Sequence, residues 1–90
     1  MKIRIRYFAS FREIIGRNEE QLTLDEGASV ADVRTLLPTR YPRLQPIMER
    51  SVSAVNHNYV SAETRLSDGD EVVFIPPVGG GRQEYPLWSH

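Results

Sequence analysis

Pro76-Pro77-Val78-Gly79-Gly80-Gly81 is the stretch of this 90-residue chain whose residue types and spacing could do chemistry. Pro77 biases Pro76 toward extended backbone, so the pair projects the chain away from what precedes it. The three glycines carry no side chains and could enter a channel too narrow for other residues. Six extended residues reach roughly 20 Å at about 3.3–3.6 Å each. Freezing them costs on the order of 1–2 kcal/mol per residue, which a partner must offset with backbone hydrogen bonds. The segment is poor as internal structure and suited to being threaded into another protein's active site. The plainer reading is a flexible linker.

Other chemistry is sparse. There is no cysteine, which removes disulfides, a thiol nucleophile and thiolate metal sites. His57 and His90 stand far apart, so no metal site is expected. Asp68-Gly69-Asp70-Glu71 could suggest a cation site, but this composition is commoner as a turn. His57 follows Asn56 in a second turn-like stretch and is read as a turn residue. Lys2, Arg4 and Arg6 would form a cationic strip on one face of a strand, extended by Arg12 and Arg34. A solvated sheet face is the commoner reading of such charges. A net charge of −1 gives no global attraction to nucleic acid. No apolar run approaches the ~18–20 residues that span a membrane. The N-terminus enters a strand pattern at once, without a secretory leader, so a cytoplasmic protein is expected.

The elements that must position the glycine segment are legible from period. Lys2 to Phe8 alternates, with Ile3, Ile5 and Tyr7 inward. Phe11, Ile14 and Ile15 have helical spacing, and Gly16 is a natural stop. Glu20 to Leu24 reads as a second strand. Ser29 and Asp32 form a capping-box pattern before Val30, Val33, Leu36 and Leu37, with Pro38 and Pro42 bracketing the helix end. Arg43 to Arg50 is ambiguous, with Leu44, Ile47 and Met48 permitting a helical turn. Ser51 to Val55 and Tyr59-Val60 read as strands around a turn. Glu71 to Ile75 has the apolar character of a strand buried on both faces. One main helix against these strands predicts an α+β fold with a sheet covered on one face. Phe74 and Ile75, just before the arm, are candidates for an apolar interface patch.

The chain resembles the MoaD/ThiS family of ubiquitin-like sulfur carriers. The resemblance rests on YFASFREIIG (7–16), SVADVRTLL (29–37), VNHNYV (55–60), LSDGDEVVFIPPV (66–78) and the glycines, and it covers nearly all of residues 1–81. Gly-Gly placed after Asp-Gly-Asp-Glu, a strand and Pro-Pro is its specific part. It implies a β-grasp domain over residues 1–78, with a mixed sheet of about five strands on one main helix. A glycine arm follows at 79–81, and an extension at 82–90. It further implies that Gly81, preceded by Gly80, is the working residue. A ubiquitin-activating-like adenylyltransferase would spend ATP to adenylate the Gly81 carboxylate, and a sulfur donor would convert the adenylate to a thiocarboxylate. Pro76, Pro77, Val78, Gly79 and Phe74 would contact partners. The spacing resembles the small subunit of molybdopterin synthase more than the thiamine-pathway carrier. The large subunit would then supply most catalytic side chains, leaving this chain a sulfur-donating, non-catalytic subunit with no permanently bound cofactor. The cationic strip would dock on an acidic patch of the activating enzyme.

The departure from that pattern is Arg82 to His90, nine residues past Gly81. While Gly81 is held in a peptide bond it has no carboxylate to adenylate. Three readings stand: a pro-segment removed by a processing protease, a carrier that has lost the chemistry and kept the binding surface, or a gene-boundary effect. Two alternative functions stand with them. One is a sulfur carrier for thiamine, thiolated tRNA or an amino acid. The other is a non-catalytic ubiquitin-like binding module.

Overall fold

Strand β1 (Lys2–Tyr7) alternates exposed and buried along its whole length, as its sequence requires. A computed structural model describes residues 1–76, and residues 77–90 lie outside the described residues. Helix α1 (Ala9–Ile15) buries Phe11 and ends at Gly16, whose φ of 84° closes it in the left-handed region. Strand β2 (Glu19–Thr23) returns antiparallel to β1, pairing Ile3 with Leu22 and Ile5 with Glu20.

Helix α2 (Val30–Arg40) starts where the capping pattern predicts. The Asp32 carboxylate accepts the Ser29 backbone N–H at 2.7 Å. The helix ends at Arg40, between Pro38 and Pro42, as the two prolines predict. Pro38 sits inside the last turn, and the Tyr41 N–H donates to the Leu37 carbonyl at 2.8 Å. Near a C-terminus, a proline forfeits one backbone bond without ending the helix. A 3-10 turn at Pro42–Leu44 and helix α3 (Gln45–Arg50) resolve the ambiguous stretch, burying Leu44 and Met48.

Strands β3 (Val52–Val55) and β4 (Asn58–Val60) form a hairpin. Asn56 and His57 both have positive φ, 49° and 70°. That is the mirror-image two-residue turn that matches strand twist. Strand β5 (Glu71–Ile75) lies in the centre of the sheet, whose order is β2-β1-β5-β3-β4. It runs parallel to β1 and antiparallel to β3. The main core joins Ile3, Ile5, Tyr7, Leu22, Val72 and Phe74 of the sheet to Phe11, Val30, Val33, Leu37, Leu44 and Met48. A second, smaller cluster, Ala54, Val73 and Ile75 with Phe8 against it, belongs to the opposite face.

Candidate functional site

Strand β5 delivers the chain to Pro76, and every one of its five residues is buried. Alternation sends Val72 and Phe74 to the main core and Glu71, Val73 and Ile75 to the other face. A central strand held on both faces is a rigid base for whatever follows it.

Phe74 corrects the expectation of an exposed patch residue. It is 1 % exposed, its ring centroid lies 6.0 Å from that of Phe11, and the Arg34 guanidinium carbon stands 5.8 Å over it. The reason is register: Phe74 shares its face with Val72, beneath the helices. Ile75 does point to the outer face, where it packs with Ala54, Val73 and Phe8. Beside them Val52 and Tyr59 are exposed at 52 % and 54 %. Val52 pairs with Ile75, and Tyr59 pairs with Ala54, so all lie on one side of the sheet. The apolar surface on this side is therefore Val52 and Tyr59 with half-buried Phe8, set around Ala54, Val73 and Ile75, which are themselves enclosed.

Charge borders this patch. The Glu71 carboxylate is the common partner of Arg4 at 3.0 Å, His57 at 3.3 Å and Arg6 at 3.8 Å. Arg6 also stands over the Phe8 ring at 5.5 Å. Arg4 and Arg6 thus form the predicted cationic strip, on the outer face. Arg34 does not extend it. Its guanidinium donates to Ser51 Oγ, Ser53 Oγ and the Met48 carbonyl, tying α2 to α3 and β3, and burial lowers its pKa.

The acidic turn before β5 is structural. Asp68 accepts the Lys2 N–H, and Asp70 accepts the Ser67 N–H and the Asn56 side-chain amide. Asn56 Oδ1 in turn accepts the Glu71 N–H at 3.0 Å. His57 occupies its turn as predicted and adds the contact to Glu71.

Sequence reasoning missed one polar centre. The Glu20 carboxylate accepts Tyr7 Oη at 2.7 Å and Tyr41 Oη at 3.1 Å, with Arg17 and Arg40 about it. Burial, then the bond to Glu20, raises the pKa of Tyr7 far above its usual value, and the same two causes raise Tyr41. The five residues of this centre come from three stretches distant in sequence, around 7, 17–20 and 40–41, so no local spacing announced it.

Pro76 is half-buried at the rim of the sheet. Pro77, Val78, Gly79, Gly80, Gly81 and the extension 82–90 lie outside the described residues.

A mixed five-stranded sheet with β1 and β5 parallel at its centre and a main helix across one face defines the ubiquitin-like β-grasp class. The family model described as the ThiS family matches residues 5–81. The chain belongs to the ThiS family, and the match ends at Gly81, leaving 82–90 outside it. The molybdopterin synthase sulfur carrier subunit of Chlamydomonas reinhardtii is 40 % identical over 83 residues, covering 90 % of this chain and all of that protein. A solved structure from Pyrococcus furiosus, provisionally described as molybdopterin converting factor subunit 1, is 36 % identical with a TM-score of 0.76, covering 86 % and 98 %. A chain from the complex of subunits 1 and 2 of molybdopterin-converting factor of Helicobacter pylori, 23 % identical, shares the fold at a TM-score of 0.67, covering 90 % and 100 %.

Proposed function

We propose that this chain carries sulfur for molybdopterin synthesis, on a Gly81 carboxylate freed by removal of residues 82–90. One observation carries the reading: the family match runs through the glycines and stops at Gly81. The name of the Chlamydomonas relative supports the pathway over a thiamine, tRNA or amino-acid route.

A carboxylate is a poor electrophile because its charge is delocalised. An adenylyltransferase joins it to AMP from ATP and releases pyrophosphate, which supplies a leaving group. Sulfur from a donor displaces AMP, and the Gly81 thiocarboxylate becomes a soft nucleophile at the tip of a narrow arm. The chain binds no cofactor of its own, and ATP belongs to the activating partner. The outer face beside the arm docks the large subunit of the synthase: its patch of Phe8, Val52 and Tyr59 adjoins the point where the chain leaves β5. Arg4 and Arg6 steer the activating enzyme, an effect on association rate more than affinity. Among the described residues no helix is long and apolar enough to cross a membrane. We place the protein in the cytoplasm, where ATP and the activating enzyme would be met.

The test is adenylation of a chain ending at Gly81, read as ATP–pyrophosphate exchange with the cognate enzyme. Gly81→Ala should impair it, because a Cβ crowds the channel that admits bare backbone. Equal exchange by both chains would remove the steric argument. The second reading is a binding module whose blocked Gly81 never reacts, and it rests on the presence of residues 82–90. A protein that keeps those residues in its native cell, while remaining bound to a partner, would support it.

A further inference from the structure

Phe74, one residue before the end of β5, pairs with Tyr7 on β1 and with Ser53 on β3. Each of these neighbours is anchored on the helix side of the sheet. Tyr7 Oη donates to Glu20 at 2.7 Å. Ser53 Oγ accepts Arg34 Nη1 at 3.0 Å, and the same nitrogen donates to Ser51 Oγ at 3.2 Å. Arg34 Nη2 donates to the Met48 carbonyl, and the guanidinium carbon stands 5.8 Å over the Phe74 ring. One side chain of α2 therefore touches the end of α3, the start of β3 and the strand that leads to Pro76.

Keeping a cation in this place costs free energy. Arg34 is half-buried, and among the described residues no carboxylate pairs with it. Its lowered pKa has desolvation as its cause. An apolar side chain of similar length would fill the same space without that cost. What the guanidinium supplies instead is geometry, because its planar fork fixes acceptors of α3 and β3 at once.

We propose that Arg34 is a positioning residue for the sulfur-carrying arm: it holds β3 against the end of β5 and so fixes the direction in which the chain leaves the sheet at Pro76. The inference rests on the carrier reading for its consequence, and on the contacts of Arg34 for its geometry. The β1 side of the row is independent, since Tyr7 stays anchored to Glu20 when Arg34 is lost. Arg34 also lies on the helix side, away from Phe8, Val52 and Tyr59 on the outer face. Its loss should therefore loosen the base of the arm and leave docking intact.

Arg34→Met together with Ser53→Ala tests this. The second change removes the hydroxyl that would otherwise be buried alone, while Ser51 Oγ keeps the Met48 carbonyl at 2.9 Å. The double variant should fold with a Tm near that of the parent. In the full chain, amide hydrogen exchange along β3 and at Ile75 should quicken roughly ten-fold, as expected for one lost charge-assisted hydrogen bond. Exchange at Ile3, Ile5 and Leu22 should not change. In the chain ending at Gly81, kcat for ATP–pyrophosphate exchange should fall several-fold at an unchanged KM for the carrier.

Unchanged amide exchange along β3 overturns the proposal. A uniform rise across all strands also overturns it, since Arg34 would then be a general stabiliser. A raised KM with kcat intact overturns it too, by moving the effect to docking. The amide readout involves no sulfur chemistry. A parent chain that is never adenylated therefore refutes the carrier reading alone, and the amides still decide the role of Arg34.

Discussion

Phe74→Leu separates a buried support from a partner-facing residue. Phe74 stacks on Phe11 at 6.0 Å and lies under the Arg34 guanidinium at 5.8 Å. Losing the aromatic pair removes about 0.5–1.5 kcal/mol. Losing the cation contact removes about 0.5–1 kcal/mol at a half-buried site. Leucine also leaves part of the ring volume unfilled, which adds a cavity cost. The sum is about 2 kcal/mol. In a domain of this size that lowers Tm by roughly 8–16 °C, at about 4–8 °C per kcal/mol. Thermal unfolding followed by circular dichroism measures it, with Tyr59→Leu on the outer face as the control that should barely move. An unchanged Tm for Phe74→Leu, together with weakened binding of the large subunit, would refute the assignment of Phe74 to the core.

Two further expectations concern stability. Tyr7 and Tyr41 have folded pKa values raised above the unfolded value of about 10, so their contribution is complete below pH ~10 and is lost as pH climbs beyond it. Urea unfolding at rising alkaline pH should therefore show falling stability, and Tyr7→Phe with Tyr41→Phe should flatten that fall. Ala9 opens α1 with φ at 49°, a conformation that costs a residue with a Cβ about 1–2 kcal/mol. Ala9→Gly should stabilise the domain by about 0.5–1 kcal/mol after the entropic cost of glycine, a gain visible in the urea midpoint.

Much of the fold was legible because its signals are local. The period of two in Lys2–Tyr7 assigns each side chain to a face, and Ser29 with Asp32 marks where α2 begins. The sulfur-carrier resemblance likewise rests on contiguous residues up to Gly81. What was not legible depends on neighbours distant in sequence. Glu71–Ile75 is buried on both faces and shows no alternation, so nothing in the run said whether Phe74 or Ile75 faces the helices. The parallel pairing of Tyr7 with Phe74 settles it. Arg34 looked like another member of a cationic strip, and only the approach of α2 to Ser51 and Ser53 turns it into an internal clamp.

The most direct test is the intact mass of two forms, the full chain and the chain ending at Gly81, after incubation with the adenylating partner, ATP and a sulfur donor. The account predicts that the shorter chain alone gains the mass of one oxygen exchanged for sulfur. A full chain that retains His90 and still delivers sulfur to the synthase would contradict it.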